Sequence, residues 1–198
     1  MKKKTFFLFA SAILLAASIG FAADTYVPDP GHSQVGFTVK HLVISKVNGR
    51  FKDFDAIVVY DPQDITKSSL TGKIKTASIT TDNENRDADL KSDGFFDVEK
   101  YPEIVFQSTK VEKKGKDILV TGNLTMHGVT KPVTFPVSIA GPITMGGSSK
   151  LGIEANLTIN RQDYGISWNK KLDNGGAVVS DEVQISLNSE LKKQEAKQ

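Results

Sequence analysis

The chain has 198 residues, 25 lysines and arginines against 23 aspartates and glutamates, a formal net charge of +2 and no cysteine. Without a thiol there is no disulfide staple, no acylated cysteine as a tether and no thiolate metal or redox site, so packing must hold the fold together. Residues 1–22 read as an export signal: Lys2, Lys3 and Lys4 form a charged start, Phe6 to Gly20 is an uncharged apolar run, and Gly20-Phe21-Ala22 supplies the small residues of a cleavage site after Ala22. A retained anchor is the alternative, for which the run is short. Cleavage takes away 22 of 198 residues, three lysines and no acid, leaving 176 residues with 22 basic against 23 acidic groups, a net charge of −1. That balance argues against nucleic acid and against an electrostatic membrane-surface role. The remaining length suits one domain, here residues 23–191, with a polar tail from Lys192 to Gln198 that is expected to fray.

Alternation of apolar and polar residues dominates the mature chain. Phe37 and Val39 open one apolar face. Across Val47 to Tyr60, Phe51 lies on the odd phase and Phe54, Ala56, Val58 and Tyr60 on the even one, which predicts a bulge or sharp bend near Lys52-Asp53. Leu70, Gly72 and Ile74 continue on the next strand. Ile104 and Phe106 start another, and further faces are Ile118 to Met126 on even positions, Val133 to Ile139 and Leu151 to Ile159 on odd ones, and Val183, Ile185 and Leu187. Asp61-Pro62, the lysines around Gly115, His127-Gly128, Gly141-Pro142, Gly146-Gly147 and Asn174-Gly175-Gly176 punctuate these runs as turns. The pattern predicts an all-β fold of about eight antiparallel strands, the number at which a closed barrel either fills with side chains or holds one small ligand. Val47 to Tyr60 as one strand would be roughly 45 Å long, or roughly 35 Å along a tilted barrel axis.

Between Thr81 and Thr109 lies one short helix, about Asn85 to Ser92. Asp82 or Asn83 can cap it; Glu84, Asp87 and Asp89 place negative charge toward its N-terminus and Lys91 positive charge toward the other end. Gly94 can stop it, the Phe95-Phe96 pair comes next, and Pro102 restarts an extended chain.

This segment, with FTVKHLVISKVNGRFKDF (Phe37 to Phe54), GNLTMHGVTKPVTFPV (Gly122 to Val137), NRQDYGISWN (Asn160 to Asn169) and SDEVQISLNSEL (Ser180 to Leu191), resembles the YceI family of polyisoprenoid-binding, lipocalin-like proteins over nearly the whole mature chain. The resemblance implies an extended antiparallel eight-stranded β-barrel whose apolar pore takes an elongated lipid, with no known enzyme activity. Family members often pair, so a homodimer is an expectation from the resemblance alone.

Phe37, Val39, Phe51, Phe106, Leu124, Met126, Phe135, Leu157, Ile159 and Trp168 are the candidates to surround a lipid tail. Periodicity alone favours reading them as an ordinary filled core; the resemblance turns them toward a pore. Phe95 and Phe96 can plug or gate one mouth. Arg86 and Arg161 can each grip a phosphate head in bidentate fashion or serve as internal ion pairs. His32, His41 and His127 fall where the family pattern also carries histidine. They show no metal-ligand spacing, so they are expected to cap strand ends or bond backbone at turns, with a head-group contact by His32 or His41 as the ligand-binding alternative. No cofactor is expected, and no nucleophile elbow, Walker loop, dinucleotide fingerprint or H-E-x-x-H motif occurs. The sequence therefore reads as a periplasmic, non-enzymatic binding or carrier protein for an isoprenoid or other long-chain lipid such as a quinone or polyprenyl phosphate. Two other readings stay open. One is a filled barrel that docks on an envelope or respiratory partner. The other is an enzyme on an isoprenoid head group, with Asp87, His41 and Arg86 as the residues to test.

Overall fold

The computed structural model describes residues 23–170 and 177–195; the export signal and the Asn174-Gly175-Gly176 turn lie outside them. Ten strands are present among the described residues. They are β1 (Asp24–His41), β2 (Ser45–Phe51), β3 (Phe54–Tyr60), β4 (Ser69–Lys75), β5 (Ile79–Thr80), β6 (Glu103–Lys114), β7 (Asp117–Met126), β8 (Val129–Met145), β9 (Ser148–Asn160) and β10 (Val179–Lys193), with one α-helix, α1 (Glu84–Lys91), between β5 and β6. Each antiparallel neighbour pairs in turn from β10 through β9, β8, β7, β6, β4 and β3 to β1, and β1 pairs back onto β10, which closes an eight-stranded barrel. Closure leaves no open edge along those eight strands. β2 and β5 extend the wall at one end, where β2 pairs with the second half of β1.

The turns sit where the sequence places φ > 0 residues. Gly115 (φ 64°), His127-Gly128 (50° and 75°) and Gly146-Gly147 (61° and 80°) close the hairpins β6–β7, β7–β8 and β8–β9. Gly141-Pro142 is not a turn. It lies inside β8 at a register shift between Ala140 and Ile143, so the chain kinks there and keeps its partner β9.

The expected bend at Lys52-Asp53 is a full break. β2 and β3 are two strands of seven residues each rather than one of fourteen, and the corner is held by Lys52 N–H donating to the Ser78 carbonyl and Lys75 N–H donating to that of Asp53. Barrel length comes instead from β1, β8 and β10, of 18, 17 and 15 residues. β10 runs past Leu191 to Lys193, pairing Lys193 with Tyr26, so the tail begins later than expected. In α1, Asn83 is the cap, its side chain accepting from Arg86 N–H, while Asp82 turns away to meet Arg50 at 2.9 Å. Ser92, bonded to the Asp89 carbonyl, ends the helix in place of Gly94.

Inward side chains form two packed groups. One, around Tyr26, Val58, Val111, Leu151, Ile153 and Leu191, fills the end where β1 begins and β10 finishes. The other, around Val35, Phe51, Ile79, Ile104, Met126, Ile159 and Ile166, ties α1 and the loop before β10 to the opposite end.

Candidate functional site

Between the two groups lies a cavity of about 900 Å³. All fifteen residues singled out from the sequence line it: Phe37, Val39, His41, Phe51, Arg86, Phe95, Phe96, Phe106, Leu124, Met126, Phe135, Leu157, Ile159, Arg161 and Trp168. The lining also takes in Phe54, Ile74, Val183, Ile185 and Leu187, which the sequence marks on strand faces, and Val35, Leu90 and Ile166, which carry little signal because no alternating run includes them. Along β10 the lining runs from Val179 to Leu191, roughly 40 Å of strand and roughly 30 Å along the axis at the usual barrel tilt.

The inner wall shows that this space is open. Phe106, Leu157, Ile185 and Leu187 stand mid-strand on the inward face, yet are only half-buried, because the surface they expose faces the lumen. Glycines make part of that room. The Phe37 ring lies against Gly49, its cross-strand partner on β2, and the Phe106 ring lies against Gly122 on β7; a Cβ at either glycine would overlap the ring. Each ring thus lies along the wall instead of across the lumen.

One end of the cavity is rimmed by aromatic residues. Phe95, just after α1, stacks on Trp168 from the loop before β10, with ring centroids 5.0 Å apart. Phe96 meets Phe51 edge-on at 5.8 Å, and Phe51 meets Phe37 at 5.9 Å. Trp168 belongs to this rim rather than to the middle of the tail path: it is 43% exposed.

The two arginines separate clearly. Arg161 is 4% exposed. Its Nε donates to the Ser180 carbonyl (3.0 Å), one terminal nitrogen to those of Ile166 (2.7 Å) and Trp168 (2.8 Å), and the other to Val179 (3.5 Å) and the Asp181 carboxylate (3.1 Å). All five N–H groups are committed, so this guanidinium ties Ile166 and Trp168 to the start of β10 and has none left for a head group. Burial pushes its pKa down, opposed by Asp181. Arg86 uses only two, Nε to Thr81 Oγ1 (2.8 Å) and one terminal nitrogen to the Thr81 carbonyl (3.1 Å). The rest have no partner among the described residues, and the side chain borders the cavity beside Asn83 and Asn85.

Asp87 anchors the helix. Burial alone would raise its pKa, but hydrogen bonds from the Thr81 and Thr80 hydroxyls and the Thr81 N–H outweigh it and hold the carboxyl below its ordinary value.

The histidines do not converge. His41 borders the cavity. His127, at the β7–β8 turn, places Nδ1 3.2 Å from the Tyr164 carbonyl, as expected for a turn histidine. His32 lies near the closed end with Asp29 and Glu190 close enough to share an ion, a grouping the sequence hides because Glu190 arrives from β10. Lys150 already meets Glu190 at 2.5 Å.

Residues 26–191 match the YceI-like domain. A UPF0312 protein of Photorhabdus laumondii is 40% identical over 166 residues, covering 83% of this chain and 86% of that one. The crystal structure of Burkholderia cenocepacia BcnA is similar with a TM-score of 0.72 at 27% identity, covering 84% of this chain and 99% of its own. A polyisoprenoid binding domain from Saccharophagus degradans, implicated in plant cell wall breakdown, shares the fold at 15% identity with a TM-score of 0.62, over 87% and 99% of the two chains. The chain belongs to the YceI-like domain family.

Proposed function

We propose that this YceI-like domain is an exported, periplasmic carrier or buffer for a single long-chain lipid of isoprenoid type, and that it binds its ligand without chemically changing it. The observation that carries the reading is the open apolar lumen of about 900 Å³ lined by half-buried mid-strand side chains, near the upper end of the usual range for ligand sites. Each CH₂ moved from water into such a lumen gains ~0.8 kcal/mol, so a tail of tens of carbons gains on the order of tens of kcal/mol. The description of the Saccharophagus degradans domain as polyisoprenoid-binding supports the same ligand class. Arg86, with donors to spare at the cavity wall, is the group to meet a phosphate head, and phosphate favours a guanidinium fork. Export rests on Lys2 to Lys4, the apolar run to Gly20 and the small residues before Ala23.

The test is native mass spectrometry of the protein exported to a bacterial periplasm and purified without detergent, followed by denaturing extraction. A bound mass that extracts as a long-chain lipid supports the carrier. An empty protein that also refuses added polyprenyl phosphate and quinone overturns it in favour of a partner-docking barrel.

A further inference from the structure

The hairpin joining β1 to β2 projects from the aromatic-rimmed end. Its three-residue loop opens with Leu42 (φ 53°) and Val43 (φ 65°), both in the left-handed region, which Gly and Asn occupy at least cost. A β-branched residue there is sterically costly. Leu42 is half-buried, but Val43 gains no burial that would explain its presence by packing: it is 65% exposed, and the next residue, Ile44, is 85% exposed. The exposed tip is continuous with the cavity, because Leu42 N–H donates to the Val178 carbonyl and Val178 lines the lumen. Immediately below the tip, Lys40 and Lys46 are cross-strand partners and both are exposed. Like charges directly opposite destabilise a hairpin unless an anion sits between or above them.

We infer that the Leu42–Ile44 tip inserts into the interface of an anionic lipid bilayer, with Lys40 and Lys46 against lipid phosphates, so that the cavity mouth faces the membrane that supplies or receives the lipid. The inference rests on the carrier reading for its purpose and on the tip's own chemistry for its occurrence. Trp168 at the same rim has the amphipathic ring that settles at headgroup depth. The net charge of −1 after signal cleavage excludes attraction by bulk charge, and α1, which leads into Phe95 at this mouth, carries Glu84, Asp87 and Asp89. Contact is therefore local and one-sided, made by apolar insertion and two lysines. A second copy of the chain is the poorer occupant. The large exposed apolar side chains at this rim are Val43, Ile44 and Trp168, far fewer than the roughly 20–30 residues a side of a stable interface.

The experiment is flotation of the exported protein with vesicles of phosphatidylcholine and with vesicles containing phosphatidylglycerol, alongside Val43→Asn/Ile44→Ser, a pair of changes that suits the turn and leaves the cavity lining intact. The expected result is flotation with the anionic vesicles, weakened roughly ten-fold by the tip variant and by Lys40→Gln/Lys46→Gln, while the lipid content by native mass spectrometry is unchanged. Equal flotation of wild type and tip variant, or none of wild type, overturns the inference. A dimer that the tip variant turns into a monomer also overturns it, by giving the tip to self-association. Lipid-loaded protein that does not float removes the docking alone, whereas floating protein that never contains or takes up lipid removes the carrier reading alone.

Discussion

The two ends of the barrel are built from the same eight strands with the same alternation, yet one is solid and the other hollow. At the closed end Tyr26, Leu151 and Leu191 are 1–2% exposed, and the Tyr26 and Tyr60 rings, from the paired strands β1 and β3, meet edge-to-face at 6.3 Å. At the open end Phe37 and Phe106 lie back against Gly49 and Gly122 and leave the lumen clear. The lesson is that a glycine on the neighbouring strand gives an aromatic ring room to lie along the wall of the barrel.

Core truncation separates the ends most strongly. Leu151→Ala at the closed end is expected to lower unfolding free energy by ~2–5 kcal/mol, since both lost transfer energy and a new void count. Leu157→Ala, whose lumen side meets no protein atoms, is expected to lose about half of that or less. Urea denaturation of lipid-free protein measures both, and equal losses would mean that the lumen is filled. Next in size is Arg86→Met, which removes charge-assisted hydrogen bonds of ~1.5–3 kcal/mol. Titration with a polyprenyl phosphate should weaken by ten-fold or more while an uncharged isoprenoid binds as before; equal weakening of both would place Arg86 in the scaffold only.

A smaller effect belongs to acid. The Asp87 carboxyl has a lower pKa in the fold than in the unfolded chain. Its contribution is therefore complete above the unfolded value, about 3.9, and disappears as pH falls through the folded one. Thermal melts between pH 6 and 2.5 should show a loss of stability setting in below about pH 4, and Asp87→Asn should flatten that limb. An unchanged acid limb in the variant would assign it to other carboxylates. Smallest for stability is Gly49→Ala. The added Cβ pushes a mobile ring tip rather than backbone, so the melt should move little while Phe37 swings into the lumen and the extracted lipids shift to shorter tails. An unaltered tail length would show that the ring finds room elsewhere.

Much of this architecture is legible in the residues. Period-2 faces such as Leu151 to Ile159 and Ile118 to Met126 mark which side of each strand turns inward, because a pleated strand allows only two faces. The helix cap at Asn83, the bend after Phe51 and the φ > 0 hairpins follow from local sterics and orphan N–H groups, which depend on a few neighbouring residues. Gly141-Pro142 misleads because the same pair that makes a turn also makes a kink within a paired strand, and only the partner β9 decides between them. Gly94 misleads in the same way, since the Ser92 hydroxyl satisfies the Asp89 carbonyl first.

The sequence by itself determines the strand faces, the single short helix and the family pattern, all of which rest on neighbours along the chain. It also selects fifteen residues that end up around one cavity. Only the tertiary structure decides that the cavity is open at one end, that Arg161 is used up on carbonyls while Arg86 is not, and that the Leu42–Ile44 tip stands beside the mouth. Those outcomes depend on which atoms meet across strands more than 100 residues apart, as Phe37 meets Ile185. No local periodicity records how much space is left between them.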